Sequence, residues 1–316
     1  MTVFPAKLLL FGEYSILLGS SALGMPFNYF GASLKFITPE TGETLLRANE
    51  SNLQLKGMYD YFHVDPVVFN KFIDLAHFYN DICNGLYLAS TIPQRYGMGS
   101  SGALCAAVFD RYKVEAHDPW RPGDVEGLIS MRQSFVQMES FFHGKSSGFD
   151  PLVSSLNMPL LLGKDGQVVP AGLRKCPLEG SNLHVLLVDS GQPCSTGPLV
   201  NNFLSDFAPG GRITPLGTTF CKLADTAIEN LFSNNMDGLW GEIILLSRFQ
   251  LENLSHLVPA GLRSIWADGL KTGLFTLKLC GSGGGGFLLC FTRQKRMTHD
   301  YFKTIGLTVI PVSNDF

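Results

Sequence analysis

The sequence has little of what marks several common classes of protein. Its formal net charge is −3 and its pI is near 6.2, so there is no basic excess with which to neutralise the phosphates of a nucleic acid. No run of about 18 apolar residues is present, which is the length that indicates a transmembrane helix. Charged residues make up 16% of the chain and apolar residues 45%, which is typical of a folded protein and not of a disordered one. We therefore expect a globular protein whose partner is neither a nucleic acid nor a membrane.

The cysteines form neither a metal-binding nor a disulfide pattern. Seven are present, and none of them belongs to a C-x-x-C pair. Paired spacings of that kind indicate zinc sites, and even, regularly spaced sets indicate disulfide frameworks. The sequence therefore predicts free thiols, no zinc site and a cytoplasmic location. The seven are Cys83, Cys105, Cys176, Cys194, Cys221, Cys280 and Cys290.

The two standard nucleotide-binding fingerprints, G-x-x-x-x-G-K-[ST] and a G-x-G-x-x-G that follows a strand, are also missing. The chain has instead a glycine- and serine-rich turn, GMGSSG at residues 97–102, that runs into a predicted helix over residues 101–112. Glycines let backbone N–H groups converge on a ligand, and the start of a helix adds unpaired donors that suit a phosphate. A hydroxyl of Ser100 or Ser101 can reach a Mg²⁺ ion on that phosphate. The alternative interpretation is a tightly packed helix N-cap.

A second glycine-rich segment lies near the end of the chain. Residues 279–287 (LCGSGGGGF) hold four consecutive glycines between two predicted strands. Such a run loses much conformational entropy on folding, so a plain hairpin seldom uses it. It predicts a loop whose backbone must come close to a ligand or to the first glycine turn, with a wide, bulged turn as the alternative.

Three charged residues are candidates for chemistry. Glu139 lies near the end of a predicted helix over residues 122–142, and Asp150 follows after a polar turn. One of these carboxylates can bind a metal while the other orients a hydroxyl; the alternative is a pair of surface carboxylates. Lys7 lies in a predicted apolar strand over residues 7–11, where it can stabilise a transferring phosphoryl group or protect a strand edge from aggregation.

The order of the predicted elements indicates an α+β fold, and 316 residues are enough for two domains. Strand-like alternation is present in residues 30–38 and 43–55, and an apolar strand begins again at Leu183. We place the domain boundary just before that strand, which gives domains of residues 1–182 and 183–316. Further helices are predicted over residues 218–232, 239–254 and 261–272, and closing strands over residues 274–279, 286–292 and 307–312.

Three blocks of the sequence resemble the GHMP kinase superfamily. The first, PAKLLLFGEYSILLGSSALGMP at residues 5–26, is similar to the opening P-x-K-(apolar)-x-G-E block of that superfamily. The second, GMGSSGA at residues 97–103, is similar to the phosphate loop GLGSSAA, with Gly102 in place of an alanine. The third, KLCGSGGGGF at residues 278–287, is similar to K-x-TGAGGGG. The blocks occur in the right order and span nearly the whole chain.

The resemblance implies a two-domain fold, with a ribosomal-S5-domain-2-like N-terminal domain that binds ATP and a ferredoxin-like C-terminal domain. It also implies ATP and Mg²⁺ as cofactors and a small-molecule alcohol as the phosphoryl acceptor, and it allows a homodimer. The residues that it assigns to ATP binding belong to the phosphate loop: Gly97, Gly99, Ser100, Ser101 and Gly102.

Within the superfamily, the mevalonate kinases are the most similar, because HGKSSGFD at residues 143–150 resembles their HG-x-PSG-x-D. By that resemblance Asp150 is the catalytic aspartate beside the substrate hydroxyl, and Lys7 is its partner. Glu139 would bind Mg²⁺ together with Ser100 or Ser101.

A further segment, VDSGQPCSTGPLV at residues 188–200, resembles the one that brings a threonine to mevalonate. The chain departs from the pattern at Tyr14, where histidine is usual, at Cys194, where arginine or lysine is common, and at Ser146, which replaces a proline. The first departure is shared with phosphomevalonate kinases, so these differences bear on the acceptor and not on kinase activity. The residues that the resemblance assigns to the substrate are Glu13, Tyr14, Thr196, Gly283 and Gly284.

The predicted activity is ATP-dependent phosphorylation of mevalonate to 5-phosphomevalonate, a step of isoprenoid biosynthesis. A phosphomevalonate kinase or a sugar kinase of the same superfamily is the first alternative. A phosphorylated acceptor calls for converging cations, and Arg95, Arg132 and Lys145 are near the motifs in sequence. A non-catalytic nucleotide or metabolite sensor would be free to lose Asp150 or Lys7, and both are present. An α+β binding protein without a nucleotide would not need two glycine loops.

Overall fold

The computed structural model describes residues 2–38, 44–114, 120–121, 123–144, 146–173, 178, 181–194 and 197–312. These residues contain eleven α-helices and nine β-strands, and none of these helices is long and apolar enough to cross a membrane. The helices are α1 (Leu45–Val64), α2 (Pro66–Phe69), α3 (Leu75–Cys83), α4 (Ser100–Tyr112), α5 (Val125–His143), α6 (Phe149–Leu156), α7 (Gly197–Phe207), α8 (Pro215–Phe232), α9 (Met236–Asn253), α10 (Ala260–Thr272) and α11 (Lys295–Thr304). The strands are β1 (Phe4–Phe11), β2 (Ala22–Phe36), β3 (Leu86–Ser90), β4 (Leu160–Leu162), β5 (Val168–Pro170), β6 (His184–Asp189), β7 (Thr276–Leu279), β8 (Phe287–Thr292) and β9 (Val309–Pro311).

The chain divides into two compact units, each built from separate segments. Unit 1 consists of Met1–Lys7, Pro26–Ile92 and Gly99–Asn157. Unit 2 consists of Leu8–Met25, Pro93–Met98 and Met158–Phe316. The domains predicted from the sequence, residues 1–182 and 183–316, follow chain order and stay a prediction.

Helix α4, which follows the glycine turn, runs through the core of unit 1. Its residues from Gly102 to Phe109 are all buried, and it packs against α5 and α6. Three alanines in that stretch let the neighbouring helices come close, since small side chains leave room for backbone. Helix α5 packs on α4, with Leu128, Phe135 and Met138 buried.

One segment of unit 1 differs from its prediction. Residues 43–55 were expected to form a strand, but α1 begins at Leu45 and continues to Val64. Its buried residues are seven, three and four positions apart along the chain, which places them on one face of a helix. The exposed leucines at positions 45, 46 and 53 hide the helical period, so that the sequence resembles the alternation of a strand. The buried face consists of Ala48, Leu55, Met58 and Phe62.

Unit 2 is built on a four-stranded antiparallel sheet of order β7-β8-β6-β9. Every residue of β8 is buried, so this central strand is covered on both faces. Helices α8 and α9 pack against each other, and the stacked rings of Phe220 and Phe249, 4.9 Å apart, lie at their contact. Strands β4 and β5 form an antiparallel pair, with Leu161 opposite Val169.

The first five strands form a second sheet of order β1-β2-β4-β5, with β3 also paired to β2. The pairing is antiparallel, with Phe36 of β2 opposite Leu86 of β3, and Ala22 of β2 opposite Leu162 of β4. Strand β1 carries Lys7, one of the predicted site residues.

Candidate active site

A buried lysine and a partly exposed aspartate form an ion pair in unit 1. Lys7 lies in β1, and its Nζ is 2.8 Å from Oδ2 of Asp150. Asp150 is the second residue of α6, where the start of the helix favours a negative charge. The side chain of Lys7 is 6% exposed and that of Asp150 is 32% exposed, so the carboxylate stays accessible while the ammonium is covered. The two residues predicted to be catalytic are therefore in direct contact.

The end of the glycine turn lies against this ion pair. Gly99 precedes α4 with a φ of 70°, a left-handed conformation that glycine adopts without strain. A Cβ atom placed on Gly99 would be 3.1 Å from Cβ of Lys7 and 3.6 Å from Oδ2 of Asp150. The start of α4 is therefore close to the predicted catalytic pair.

Gly102 lies even closer to the backbone of α6. We expect Gly102→Ala to lower both kcat and the melting temperature. A Cβ atom at this position would be 2.8 Å from the carbonyl carbon of Asp150 and 2.9 Å from N of Pro151. Alanine favours a helix by about 1 kcal/mol over glycine. A clash with rigid backbone outweighs that gain, because α6 must move and overpacking costs about 1–3 kcal/mol.

Thermal unfolding and steady-state kinetics of Gly102→Ala test this expectation, with Gly57→Ala as the matched control. Gly57 lies in α1, and a Cβ there would make only an ordinary contact, 3.6 Å from Cζ of Phe141. The control should keep its kcat and melt no lower than the parent protein. A Gly102→Ala variant that behaves like the control would show that α6 tolerates the alanine of the related phosphate loops.

Glu139 is a buried carboxylate held by two serine hydroxyls. It lies one turn before the end of α5 and is 4% exposed. Oγ of Ser101 donates a hydrogen bond to Oε1 at 3.2 Å, and Oγ of Ser146 donates one to Oε2. Burial, together with the negative charge of Asp150, raises the pKa of Glu139 to about 7. The hydrogen bonds from the two serines and the charge of Lys7 oppose that rise in pKa.

The contact with Glu139 distinguishes the two serines of the phosphate loop. Ser101 bonds to Glu139, whereas Ser100 makes no hydrogen bond to it among the described residues. Neighbouring ligands of an octahedral Mg²⁺ ion lie about 3 Å apart, because each is 2.0–2.1 Å from the metal. The separation of 3.2 Å between Oγ of Ser101 and Oε1 of Glu139 fits such a pair.

The donor set is therefore suited to Mg²⁺ that arrives with phosphates. Within the described parts of the chain, no cluster of three or more His, Cys, Asp or Glu residues could enclose a metal ion. Mg²⁺ in phosphoryl-transfer enzymes takes one or two protein oxygens and completes its shell with phosphate oxygens and water. Glu139 and Ser101 would supply protein oxygens of that kind.

In unit 2, Glu13 and Tyr14 contact the segment that carries the second glycine loop. Glu13 forms an ion pair with Lys278, and both side chains are fully buried. The hydroxyl of Tyr14 donates a hydrogen bond to the carbonyl oxygen of Ser282 at 2.6 Å. Burial raises the pKa of Tyr14 well above its usual value. Both residues were predicted to bind the substrate; the contacts that the structure gives them are with protein groups, and the substrate role stays a prediction.

The backbone at Tyr14 is strained. Its φ is 62° and its ψ is −42°, and the N–H of Ser15 bonds to the carbonyl of Glu13 at 2.7 Å, which makes a γ-turn of the rare positive-φ form. Residues hold such conformations where surrounding contacts fix them. Here the hydroxyl is bonded to Ser282, and the ring packs on Phe203 with centroids 4.7 Å apart.

The second glycine loop packs closely on the segment that contains Gly97. A Cβ atom at Gly97 would be 2.8 Å from the carbonyl oxygen of Cys280, and one at Gly281 would be 2.9 Å from Cα of Gly97. A Cβ atom at Gly286 would be 2.8 Å from Cα of Tyr96. The two glycine segments therefore meet backbone to backbone within unit 2, which is one of the two contacts that their composition predicts.

Gly283 and Gly284 are also enclosed by protein. A Cβ atom at Gly283 would be 2.7 Å from the carbonyl oxygen of Leu257, and one at Gly284 would be 2.5 Å from Sγ of Cys194. Their predicted contact with the substrate stays a prediction. Thr196, the remaining residue of that set, lies outside the described residues.

Comparisons with known proteins identify the fold. No protein-family model matches the sequence. The curated mevalonate kinase of Pyrococcus horikoshii is 25% identical over 329 aligned positions, which cover 93% of this chain and 89% of that protein. The crystal structure of mevalonate kinase from L. major, in complex with R-mevalonate, matches with a TM-score of 0.62 at 16% identity and covers 96% of this chain and 90% of that one. The chain has the GHMP kinase fold.

The GHMP kinase fold does not by itself select an acceptor. The galactokinase of Lactococcus lactis, crystallised with galactose, also matches with a TM-score of 0.62, at 12% identity and with 98% of this chain and 92% of that one covered. Enzymes that are named for different acceptors therefore match the chain equally well in backbone shape. The predictions of an α+β architecture and of the GHMP kinase fold are confirmed.

Two residues at the GHMP kinase motifs were not predicted as site residues. Lys278 is the first residue of the third block, and its burial within an apolar strand could have indicated a partner such as Glu13. Ser146 was noted only as a replacement for proline, yet its hydroxyl bonds to Glu139. No pattern in the sequence indicates that bond, because the two residues meet through the turn between α5 and α6.

Proposed function

We propose that this chain is an ATP-dependent kinase that transfers the γ-phosphoryl group to the hydroxyl of a small-molecule alcohol. The observation that carries the proposal is the ion pair of Lys7 and Asp150, which lies against Gly99 at the start of α4. An accessible carboxylate, a buried cation and the positive end of a helix dipole are parts that suit phosphoryl transfer, since its catalysis is mostly positioning and electrostatics.

The turn before α4 would bind the phosphates of ATP. Gly97 and Gly99 both have positive φ values, 75° and 70°, which lets the loop turn into the helix without side chains in the way. The start of an α-helix favours an anion, because its first N–H groups point away from the helix and its dipole is positive there. Cofactor binding at Gly97, Gly99, Ser100, Ser101 and Gly102 follows as part of the proposal.

Glu139 and Ser101 would hold Mg²⁺ together with the β- and γ-phosphates. Bound there, the ion would neutralise the charge that develops on the phosphates during transfer. The buried position of Glu139 is unfavourable for its ionised form, as its raised pKa shows, and a divalent cation would offset that cost.

Asp150 and Lys7 would act on the reacting groups. Asp150 would orient the acceptor hydroxyl and accept its proton as the bond between the hydroxyl oxygen and the γ-phosphorus forms. The bond from the γ-phosphorus to the bridging oxygen breaks, and ADP leaves with that oxygen. Lys7, 2.8 Å from Asp150, would stabilise negative charge on the transferring phosphoryl group.

Mevalonate is the acceptor that we propose, with 5-phosphomevalonate as the product and a place in isoprenoid biosynthesis. It is supported by the similarity to the curated mevalonate kinase over most of both chains. Phosphomevalonate or a sugar is the alternative, since Tyr14 and Cys194 differ from the mevalonate kinase pattern. The six described cysteines are free thiols, which supports a reducing, cytoplasmic environment.

The test is ADP release from Mg²⁺-ATP with a panel of acceptors: mevalonate, phosphomevalonate, galactose and homoserine. We expect turnover on mevalonate alone, with a kcat on the order of 10 per second, which is typical of enzymes. Turnover on phosphomevalonate instead would replace the acceptor and keep the kinase. Binding of ATP without turnover on any of the four would contradict the kinase and favour a nucleotide sensor.

A further inference from the structure

Ser146 bonds to one of the two candidate carboxylates of unit 1 and to the turn that precedes the other. It lies in the turn between α5, which carries Glu139, and α6, which carries Asp150. Its Oγ donates to Oε2 of Glu139 and accepts the backbone N–H of Gly148, the residue before α6, at 3.0 Å. Since one side of the hydroxyl is occupied by that N–H, its single proton is directed at the carboxylate.

The turn that presents Ser146 is itself braced. Nε of Arg132, in α5, donates to the carbonyl oxygen of Ser147 at 2.8 Å. A Cβ atom at Gly148 would be 2.7 Å from the carbonyl oxygen of Arg132, so the turn lies directly on α5. The position of the Ser146 hydroxyl is therefore determined by the backbone around it.

Each carboxylate oxygen of Glu139 accepts a hydrogen bond from a different serine. Oε1 faces Ser101, its partner in the proposed metal site, and Oε2 faces Ser146. A buried carboxylate oxygen needs a donor, because an unsatisfied one costs the full desolvation of that group. If Oε2 lost Ser146, the carboxylate would turn to find another donor and would carry Oε1 away from Ser101.

We infer that Ser146 is a positioning residue for the divalent cation: through Glu139 it fixes Oε1 beside Ser101 and so sets the affinity for the metal–nucleotide pair. This inference rests on the proposed function. The block that residues 143–150 resemble has proline at this position, which has no hydroxyl, so the bond is a property of this chain's own serine.

The experiment is a titration of the protein with Mn²⁺ and a non-hydrolysable ATP analogue, followed by the electron paramagnetic resonance of free Mn²⁺. Ser146→Ala should weaken binding about tenfold, the lower end of what removal of a metal ligand's hydrogen-bond partner causes. Ser146→Thr keeps the hydroxyl and should restore most of the affinity. Ser147→Ala is the matched control, because Ser147 lies in the same turn and its Oγ accepts the N–H of Phe149 but makes no bond to Glu139 among the described residues.

A double-variant cycle separates positioning from support of the turn. If Ser146 acts through Glu139, then Ser146→Ala should cause no further loss of Mn²⁺–nucleotide affinity in a Glu139→Gln background. The same tenfold loss in both backgrounds would show that the serine only supports the turn, and would overturn the inference. Unchanged affinity of the single Ser146→Ala variant would also overturn it. Failure of the parent protein to bind Mn²⁺–nucleotide would instead contradict the proposed function.

Discussion

Asp150→Asn is expected to lower kcat by on the order of 10²-fold or more, because asparagine keeps the shape of the side chain but cannot accept the proton of the acceptor hydroxyl. Lys7→Met should cause a loss of similar size, since the transferring phosphoryl group would lose its cation. Both variants are measured by single-turnover kinetics at saturating Mg²⁺-ATP, where changes in nucleotide affinity do not enter. The KM for the acceptor should change less than kcat, because the loss is felt mainly in the transition state.

Stability measurements on the same variants distinguish a loss of catalysis from a loss of folding. Asp150→Asn leaves the ammonium of Lys7, only 6% exposed, without its carboxylate, so its melting temperature should fall. The double variant Lys7→Met, Asp150→Asn removes both charges and should recover part of that loss while staying inactive. Near-normal kcat in either single variant would contradict the catalytic assignment of that residue.

Glu139→Gln is expected to have opposite effects on activity and stability. The kcat/KM for Mg²⁺-ATP should fall at least about a hundredfold, because a neutral amide is a poor ligand for Mg²⁺. The metal-free protein, by contrast, should become more stable near neutral pH. The variant keeps the size of the side chain and removes a charge that burial and Asp150 disfavour.

The pH dependence gives the sign of the stability effect. The pKa of Glu139 rises from 4.5 in the unfolded chain to about 7 in the folded protein, so the folded state holds the extra proton between these values. The free energy of unfolding of the parent protein therefore falls as pH rises from about 4.5 to about 7, by on the order of 1–3 kcal/mol from this residue. Chemical denaturation of both proteins at pH 5 and pH 7.5 measures it. The advantage of Glu139→Gln should grow across that range, and a constant difference would show that Glu139 is not the titrating group.

The parts of the site that the sequence predicts are those that carry a local signal. The glycine turn before α4 and the polar turn before Asp150 are punctuated by glycine and serine, and both precede helices in the structure. Lys7 was notable because it is a charge within an apolar strand, and its partner proved to be Asp150. These residues are far apart in sequence, and the resemblance to known kinases supplied the expectation that they meet.

Other parts depend on tertiary contacts that leave no pattern. Two examples are the bond of Ser146 to Glu139 and the close approach of Gly102 to α6. Both depend on how near the helices lie to one another, which cannot be read from the spacing of residues in the sequence. Helices α6, α7 and α11 were not predicted, and α1 was taken for a strand because its exposed leucines mask the helical period. The helix predicted over residues 122–142 is present as α5, which runs from Val125 to His143.

The ion pair of Glu13 and Lys278 also has a consequence for biosynthesis. Its two members are 265 residues apart, and unit 2 includes both residues 8–25 and the last half of the chain. A ribosome that adds about 5–20 residues per second therefore exposes Glu13 for many seconds before Lys278 has been made. Over that interval the first strands can pair locally, but Glu13 does not yet have the ammonium of Lys278 beside it. Unit 2 can therefore be completed only after Lys278 has been made, and a chain that ends before Lys278 would lack the cation that pairs with Glu13.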